Sequence, residues 1–398
     1  MKLSKLMTRI GTESAFEMLA KAKALEAKGK SIVHLEIGEP DFDTPKNIRE
    51  AGKKAIDQGW THYCPAAGIK DARAAVAEYL SKTRSIKVSP EEIVLAPGAK
   101  PVIVFTILAL AEPGDEVIVP NPTYPIYESA TYFAGAKLVP LALREENGFD
   151  LDLGELEKVL SSKTKVLVLN SPANPTGGVV AEATFEKLAK MLRKYPDVTV
   201  LSDEIYSRLV YEGTHHSISQ FPGMRERTVI VDGMSKTYAM TGWRLGYAAA
   251  PKELVAAMEK LAINTYSCTA SMVQMAGIEA LTGTQADVDK MVAEFRRRRE
   301  VIIQGLTSIP GVTCRMPKAA FYAFPNVKAL GVPKVKELAD FILYEAGVSC
   351  LPGTSFGCFG EGYLRFSYAN SVENINEAVR RIKEALPRLK GKVPASKG

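Results

Sequence analysis

The chain has 398 residues, 46% apolar and 24% charged, with a net charge of +6. That length exceeds what one hydrophobic core serves well, so two domains are expected, with the composition of a soluble globular enzyme. The modest charge argues against a nucleic-acid-binding footprint, and no apolar run approaches bilayer length, so neither nucleic acid nor membrane is an expected partner.

The N-terminal stretch MKLSKLMTRIGTESAFEML lacks an apolar core followed by a small-residue cleavage site, and is not read as a signal peptide. Next come two amphipathic patterns predicting helices, NIREAGKKAIDQG (47–59) and DARAAVAEYLSK (71–82). Short apolar runs predict strands at EEIVLAPG, DEVIVP, AKLVPLAL, TKVLVLN, VTVLSDE, TVIVDG and RLGYAAA, several followed by helical patterns. Near-continuous Val/Ile/Leu runs alternating with helices indicate an α/β fold: a mostly parallel seven-stranded sheet buried on both faces by helices. Ligands of such sheets bind beyond the carboxyl ends of the strands.

After residue 285 the texture changes to a long helix, DVDKMVAEFRRRREVIIQGL, then GVTCRMPKAAFYAF, VKELADFILYEAGVS, YLRFSYAN and a last helical pattern from Glu373. This reads as a smaller α+β domain. The expected division is a large domain over 46–285 and a small domain over 286–398, to which residues 1–45 contribute. Much of the positive charge sits in FRRRRE and in the tail from Pro387. The arginine run is read as the solvated face of the long helix, since apolar residues recur around it at helical spacing. The five scattered cysteines, without a CxxC pair, fit reduced thiols in the cytoplasm. The four histidines show no metal spacing, so no metal is expected, and His215 and His216 read as exposed loop residues.

Polar clusters follow four of the strands. Gly98-Ala99-Lys100 opens a helix, SPANPTGG (171–178) and DEIY (203–206) each end a strand, and GMSKTYAMTGWR (233–244) sets Lys236 and Arg244 among small, apolar and hydroxyl-bearing residues. Taken singly they are weak. Asn174 reads as a turn residue, Asp203 as a helix cap, Tyr206 as a half-buried aromatic and Tyr124 as core. Likewise Arg365 reads as a solvent-facing strand residue and Gly38 as a turn glycine. Together, in this order, they are specific.

GEPDFDTP, HYCPAAG, NPTYPIY, NSPANPTGG, SDEIY, GMSKTYAMTGWRLG and PGTSFGCFGEGYLRFSYA match, in order, the landmarks of one family. The chain resembles the class I pyridoxal-phosphate aminotransferases of fold type I, aspartate aminotransferase-like, along nearly its whole length. The resemblance implies that Lys236 attaches pyridoxal 5′-phosphate as a Schiff base and then moves a proton between Cα and C4′. A lysine in that role must be neutral, which apolar burial and nearby positive charge favour. Asp203 would pair with the pyridinium nitrogen, with Glu204 as the other candidate by position alone. Asn174 and Tyr206 would bond the phenolic oxygen, and Tyr124 would stack on the ring. The phosphate would meet Arg244, the Gly98-Ala99-Lys100 backbone, Ser235, and Tyr63 from a neighbouring subunit, which makes the enzyme a homodimer with shared sites. Arg365 would clamp the substrate α-carboxylate, with the Gly38 backbone beside it and Asn174 within reach.

Two departures are visible: Ala319 in PKAAFY where glycine is common, and Pro101 where glutamine is common. Neither bears on the cofactor assignment, because proline is tolerated in a first helical turn. For the substrate side chain, the resemblance offers Lys100 to a distal carboxylate. Phe16 stands where a small hydroxyl residue would favour dicarboxylates, and it favours an aromatic or apolar group instead. The expectation is aspartate first and aromatic amino acids close behind, alanine being the other option, with 2-oxoglutarate as acceptor. A C–S β-lyase would share Lys236, Asp203 and Arg365. A non-catalytic effector-binding module would be expected to carry a DNA-binding domain ahead of the fold, for which GEPDF near residue 38 leaves no room.

Overall fold

A computed structural model describes residues 1, 3, 4, 7 and 14–391. The remaining N-terminal residues and the basic tail from Lys392 lie outside the described residues. Among the described residues, strands Ile93–Ala96, Glu116–Asn121, Lys137–Ala142, Thr164–Asn170, Thr199–Asp203, Thr228–Gly233 and Gly246–Ala249 form one seven-stranded sheet. From one edge they run in the order 93–96, 246–249, 228–233, 199–203, 164–170, 116–121, 137–142. Strand 246–249 is antiparallel to both its neighbours, and the other pairings are parallel.

Every residue of strands 93–96, 116–121, 228–233 and 246–249 is buried, which explains why these runs are apolar without alternation. Strand 137–142 is the exception. It occupies an edge, is half exposed, and carries Pro140, a residue suited to an edge because it cannot donate to a further strand. On one face Ile103, Phe105, Tyr127 and Met258 pack on Val168, Leu201 and Val231. On the other, Phe185 and Leu188 pack on Leu167 and Val200.

Strand register assembles the polar ends. Asn170 lies level with Asp203, and Asp203 with Val231, five residues ahead of Lys236. Gly246 lies level with Gly233, and a Cβ on Gly246 would run into the backbone of Gly98 and Ala99. Glycine there lets helix Ala99–Leu110 start against the sheet.

Beyond this sheet, strands Leu351–Pro352, Leu364–Ser367 and Tyr322–Ala323 pair antiparallel, and Val33–His34 pairs parallel with Val348–Ser349. Met18, Leu25, Val33 and Leu35 share one apolar cluster with Phe295, Phe321, Leu338 and Ile375. The long helix is Ala286–Thr307, packed against Val372–Ala385. Among the described residues no helix is long and apolar enough to cross a membrane.

Two expectations are corrected. The arginine run is not wholly a solvated face: Arg298 and Arg299 are buried. Arg298 pairs with Asp41 at 2.6 Å and Glu294 at 2.8 Å and lies over the Phe42 ring, while Arg299 meets Glu212 at 2.7 Å and donates to the Pro317 carbonyl. Four consecutive helical positions sweep around the axis, so a charged run cannot stay on one face. His215 is not an exposed loop residue either. Its side chain is nearly buried and its Nε2 lies 3.0 Å from the Glu204 carboxylate.

Candidate active site

A cavity of about 460 Å³ opens beyond the carboxyl ends of the parallel strands. Its walls include Phe16, Gly38, Ala99, Lys100, Tyr124, Asn174, Asp203, Tyr206, Ser235, Lys236, Arg244 and Arg365. Of the predicted site residues, Gly98 stands just behind the wall, and Tyr63 is elsewhere, 90% exposed. The structure does not bring Tyr63 into its own chain's cavity.

Lys236 lies in a single helical turn, Met234–Thr237, directly after strand 228–233. Its Nζ donates to the Gly38 carbonyl at 2.5 Å and sits 6.0 Å from the Phe321 ring centroid. Gly38 thus meets the lysine through its C=O. A Cβ on Gly38 would collide with the Tyr322 hydroxyl, so glycine is required for this approach.

Asp203 ends its strand fully desolvated. Its Oδ2 accepts the Tyr127 hydroxyl at 2.7 Å and its Oδ1 the Ile205 N–H at 3.1 Å. Burial nevertheless raises its carboxyl to about 6, with Glu204 adding repulsion against the two donors. A cation set against this carboxylate would be strongly stabilised. Glu204 faces the other way. It takes Arg84 Nε at 2.6 Å, Ser217 Oγ at 2.6 Å, Ser202 Oγ at 2.9 Å and His215, and Arg84 holds it down at about 2 despite burial. Alternation along the strand separates the two acids, and only Asp203 lines the cavity.

Arg84 also reaches Asp232 at 2.9 Å, whose carboxyl burial raises to about 7. One buried guanidinium therefore bridges two buried acids under the strand ends. Removing it as Arg84→Met is expected to lower stability by about 3–5 kcal/mol in urea denaturation, because two desolvated carboxyl groups lose their partner. A loss under about 1 kcal/mol would show that they find another.

At the next wall, Gly98 caps helix Ala99–Leu110 with φ +93°, and a Cβ there would meet the Arg244 guanidinium. Arg244 itself holds φ +55° and donates to the Thr241 carbonyl at 2.8 Å. The Gly98 N–H is turned back onto the Ala96 carbonyl at 2.7 Å, so the helix end presents Ala99 and Lys100 rather than all three amides. Ser235 is buried nearby. A guanidinium, a hydroxyl and a helix N-terminus converge here, the donor set of a phosphate site.

At the far end Arg365, buried in strand 364–367, donates to the Glu36 carbonyl and, at 3.4 Å, to Asn174 Oδ1. Its guanidinium lies over the Tyr322 and Phe356 rings at 4.6 and 4.9 Å. Tyr206 and Tyr322 share a hydroxyl–hydroxyl bond of 2.7 Å. Above the cavity the Lys100 ammonium sits 5.6 Å from the Tyr124 centroid, and Phe16, on helix Ser14–Glu26, is 61% exposed. Sequence reasoning missed Tyr127 and Tyr322 as site residues. Both lie in quoted motifs, NPTYPIY and PKAAFY, but nothing local tells a functional hydroxyl from a core ring.

A buried carboxylate short of positive charge, an amine, an aromatic wall and a phosphate-type donor set fit a flat, phosphorylated pyridine carrying an aldehyde. They also leave an arginine for a substrate carboxylate.

The family model described as aminotransferase class I and II matches residues 30–382. The chain is 41% identical to an aspartate aminotransferase of Pyrococcus horikoshii over 360 residues, 89% of this chain and 90% of that one. It is 40% identical to aromatic-amino-acid aminotransferase 2 of Thermococcus litoralis, over 88% of this chain and 91% of that one. The crystal structure of the aspartate aminotransferase from Rhizobium meliloti superposes with a TM-score of 0.93 at 34% identity, covering 98% and 99% of the two chains.

Proposed function

The chain belongs to the class I and II aminotransferases and is a pyridoxal-phosphate-dependent transferase acting on amino and oxo acids, and from that premise we propose its substrates, site roles and assembly. It moves the α-amino group of aspartate, with aromatic amino acids close behind, to 2-oxoglutarate in two half-reactions. The observation that carries this reading is that Lys236, Asp203, Arg365 and Lys100 share one cavity.

Bound pyridoxal phosphate supplies a sink for the electrons released at the substrate Cα and a carrier for the amino group. The protein's residues do the rest. Lys236 is the amine that anchors the cofactor and carries the proton leaving Cα. Asp203 keeps the ring nitrogen protonated. Asn174 and Tyr206 bond the phenolic oxygen, and Tyr124 covers the ring. Arg244, Ser235 and the helix start at Ala99 and Lys100, capped by Gly98, hold the phosphate. Arg365 binds the α-carboxylate, and its position between two rings and the Glu36 carbonyl supports a fixed orientation.

Lys100 offers its ammonium to a distal carboxylate, which favours aspartate. Phe16 supplies apolar surface at the same mouth, which supports aromatic donors as the second reading. The relatives named for aspartate and for aromatic amino acids support both. In separate cuvettes, aspartate and phenylalanine should each convert the cofactor's near-visible band to its amine form, and 2-oxoglutarate should restore it. A kcat/KM for aspartate well below that for phenylalanine would reverse the order. Release of pyruvate, ammonia and a thiol from cystathionine, without an oxo-acid acceptor, would instead indicate a C–S β-lyase. Phe16→Thr is expected to change the aspartate-to-phenylalanine ratio of kcat/KM about tenfold toward aspartate, as removal of one apolar contact surface should.

A homodimer is the proposed assembly, with exposed Tyr63 reaching the phosphate of the partner site. Tyr63→Phe should then weaken cofactor retention although the residue is remote from its own cavity. We place the large domain at 46–285 and the small domain at 286–398 joined by the N-terminal segment. The cytoplasm is the proposed setting, supported by five free cysteines.

A further inference from the structure

We propose that Tyr127 is a positioning residue that keeps Asp203 oriented and ionised against the cofactor ring, an inference that rests on reading Asp203 as the ring-nitrogen partner. Tyr127 stands on helix Ile126–Ala134 and is fully buried. Its hydroxyl gives Asp203 Oδ2 a 2.7 Å hydrogen bond, the shorter of the two that the carboxylate accepts. The same ring meets the Tyr124 ring at a centroid distance of 6.1 Å with the planes at 88°, so one residue contacts both Asp203 and the aromatic proposed to stack on the cofactor.

The surroundings of Asp203 make this donor matter. Glu204 follows it directly, just past the strand end, and Asp232 lies on the neighbouring strand. Arg84 is committed to those two acids from behind. Tyr206 follows on the same loop and Tyr124 leads into the Tyr127 helix. Lys236, across the cavity, is the cation facing Asp203 from the front. Two nearby carboxyls and a desolvated site oppose ionisation. The phenol favours it and cannot itself ionise, because burial and Asp203 hold its proton on well above the usual tyrosine range. Its role is therefore to donate.

The sign follows. Without the hydroxyl, the Asp203 carboxyl of the cofactor-free protein titrates higher, so between about 6 and the new value a larger fraction is neutral before the ring binds. Binding of a protonated ring nitrogen is weakened in that window and recovers at higher pH.

Tyr127→Phe in the holoenzyme is expected to raise the dissociation constant of pyridoxal phosphate about tenfold at pH 6.5, measured by equilibrium dialysis, with the gap closing by pH 9. The acid limb of kcat/KM should move up by about one unit with KM for the amino donor unchanged. The ¹⁵N shift of ring-labelled cofactor should move toward the unprotonated value relative to the native holoenzyme, because a more basic Asp203 takes a larger share of the proton it shares with the ring. A dissociation constant unchanged, or raised equally at pH 6.5 and pH 9, overturns the proposal, the latter meaning a packing role only. Should Tyr127→Phe not fold, 3-fluorotyrosine at position 127, a stronger donor, should move the acid limb down, and an unmoved limb rejects the idea. Asp203→Asn separates the parent reading. If it keeps full turnover, the ring-nitrogen assignment fails whatever Tyr127 does. If it collapses while Tyr127→Phe leaves binding and pH profile unchanged, only the Tyr127 proposal falls.

Discussion

Lys236→Ala is expected to cut turnover by about 10⁴-fold and to leave the cofactor without a covalent anchor, the scale set by losing both a nucleophile and a general base. The argument is positional. The Lys236 amine is held by the Gly38 carbonyl at the mouth of the strand ends, across the cavity from Asp203 and beside Phe321. Lys100 is the other lysine lining the same cavity, but it sits over the Tyr124 ring at the opening of its helix. Borohydride treatment followed by peptide mass spectrometry should find the cofactor on Lys236 in the native enzyme and on no lysine in the variant. Label on Lys100 with turnover preserved would show that the anchoring role had been given to the wrong amine. Lys236→Arg should be as inactive as the alanine variant, because a guanidinium stays protonated and cannot abstract a proton.

Most of the sheet is legible because all its strands except the edge strand 137–142 are largely buried. Runs such as TVIVDG and TKVLVLN have no polar alternation to confuse with a helix, and each ends in polar residues where register brings Asn170, Asp203 and the Lys236 turn together. Asp203 is preferred to Glu204 by the resemblance alone, since alternation sends adjacent residues to opposite faces without saying which of them meets the cavity. What occupies Glu204, however, is Arg84, 120 positions away, and no local pattern announces it.

The misreadings share that cause. His215 follows a turn-like YEGT and looks exposed, but its imidazole finds the same buried carboxylate. Arg298 and Arg299 belong to a run that resembles solvated charge, and only the three-dimensional return of Asp41 and Glu212 takes them inside. Tyr127 lies in the quoted motif NPTYPIY but receives no role there, because the hydrogen bond that distinguishes it joins a helix to a strand end 76 residues on. Long-range polar pairing, rather than secondary structure, is what escapes a linear reading.

Asp203→Asn is expected to move activity and stability in opposite directions. Folding buries this carboxylate and raises it from an ordinary 3.8 to about 6. Between those values the folded apoprotein binds more protons than the unfolded chain, so its stability falls as pH rises, and the full cost persists above pH 6. Neutral asparagine keeps the shape and avoids that cost. The apoprotein should therefore gain up to roughly 3 kcal/mol at pH 7, and the gain should fade toward pH 4. Turnover should drop about 10³-fold, because a neutral amide cannot hold the ring nitrogen protonated while electrons leave Cα. Urea titrations of the apoprotein at pH 4 and pH 7, beside single-turnover rates of the holoenzyme, measure both halves. A variant less stable at pH 7 than at pH 4, relative to the native apoprotein, would mean that Asp203 is paid for by packing and not by its charge. The opposed changes are what a residue kept for chemistry should show, since a buried anion without a protein cation behind it weakens the fold until a cationic ring sits against it.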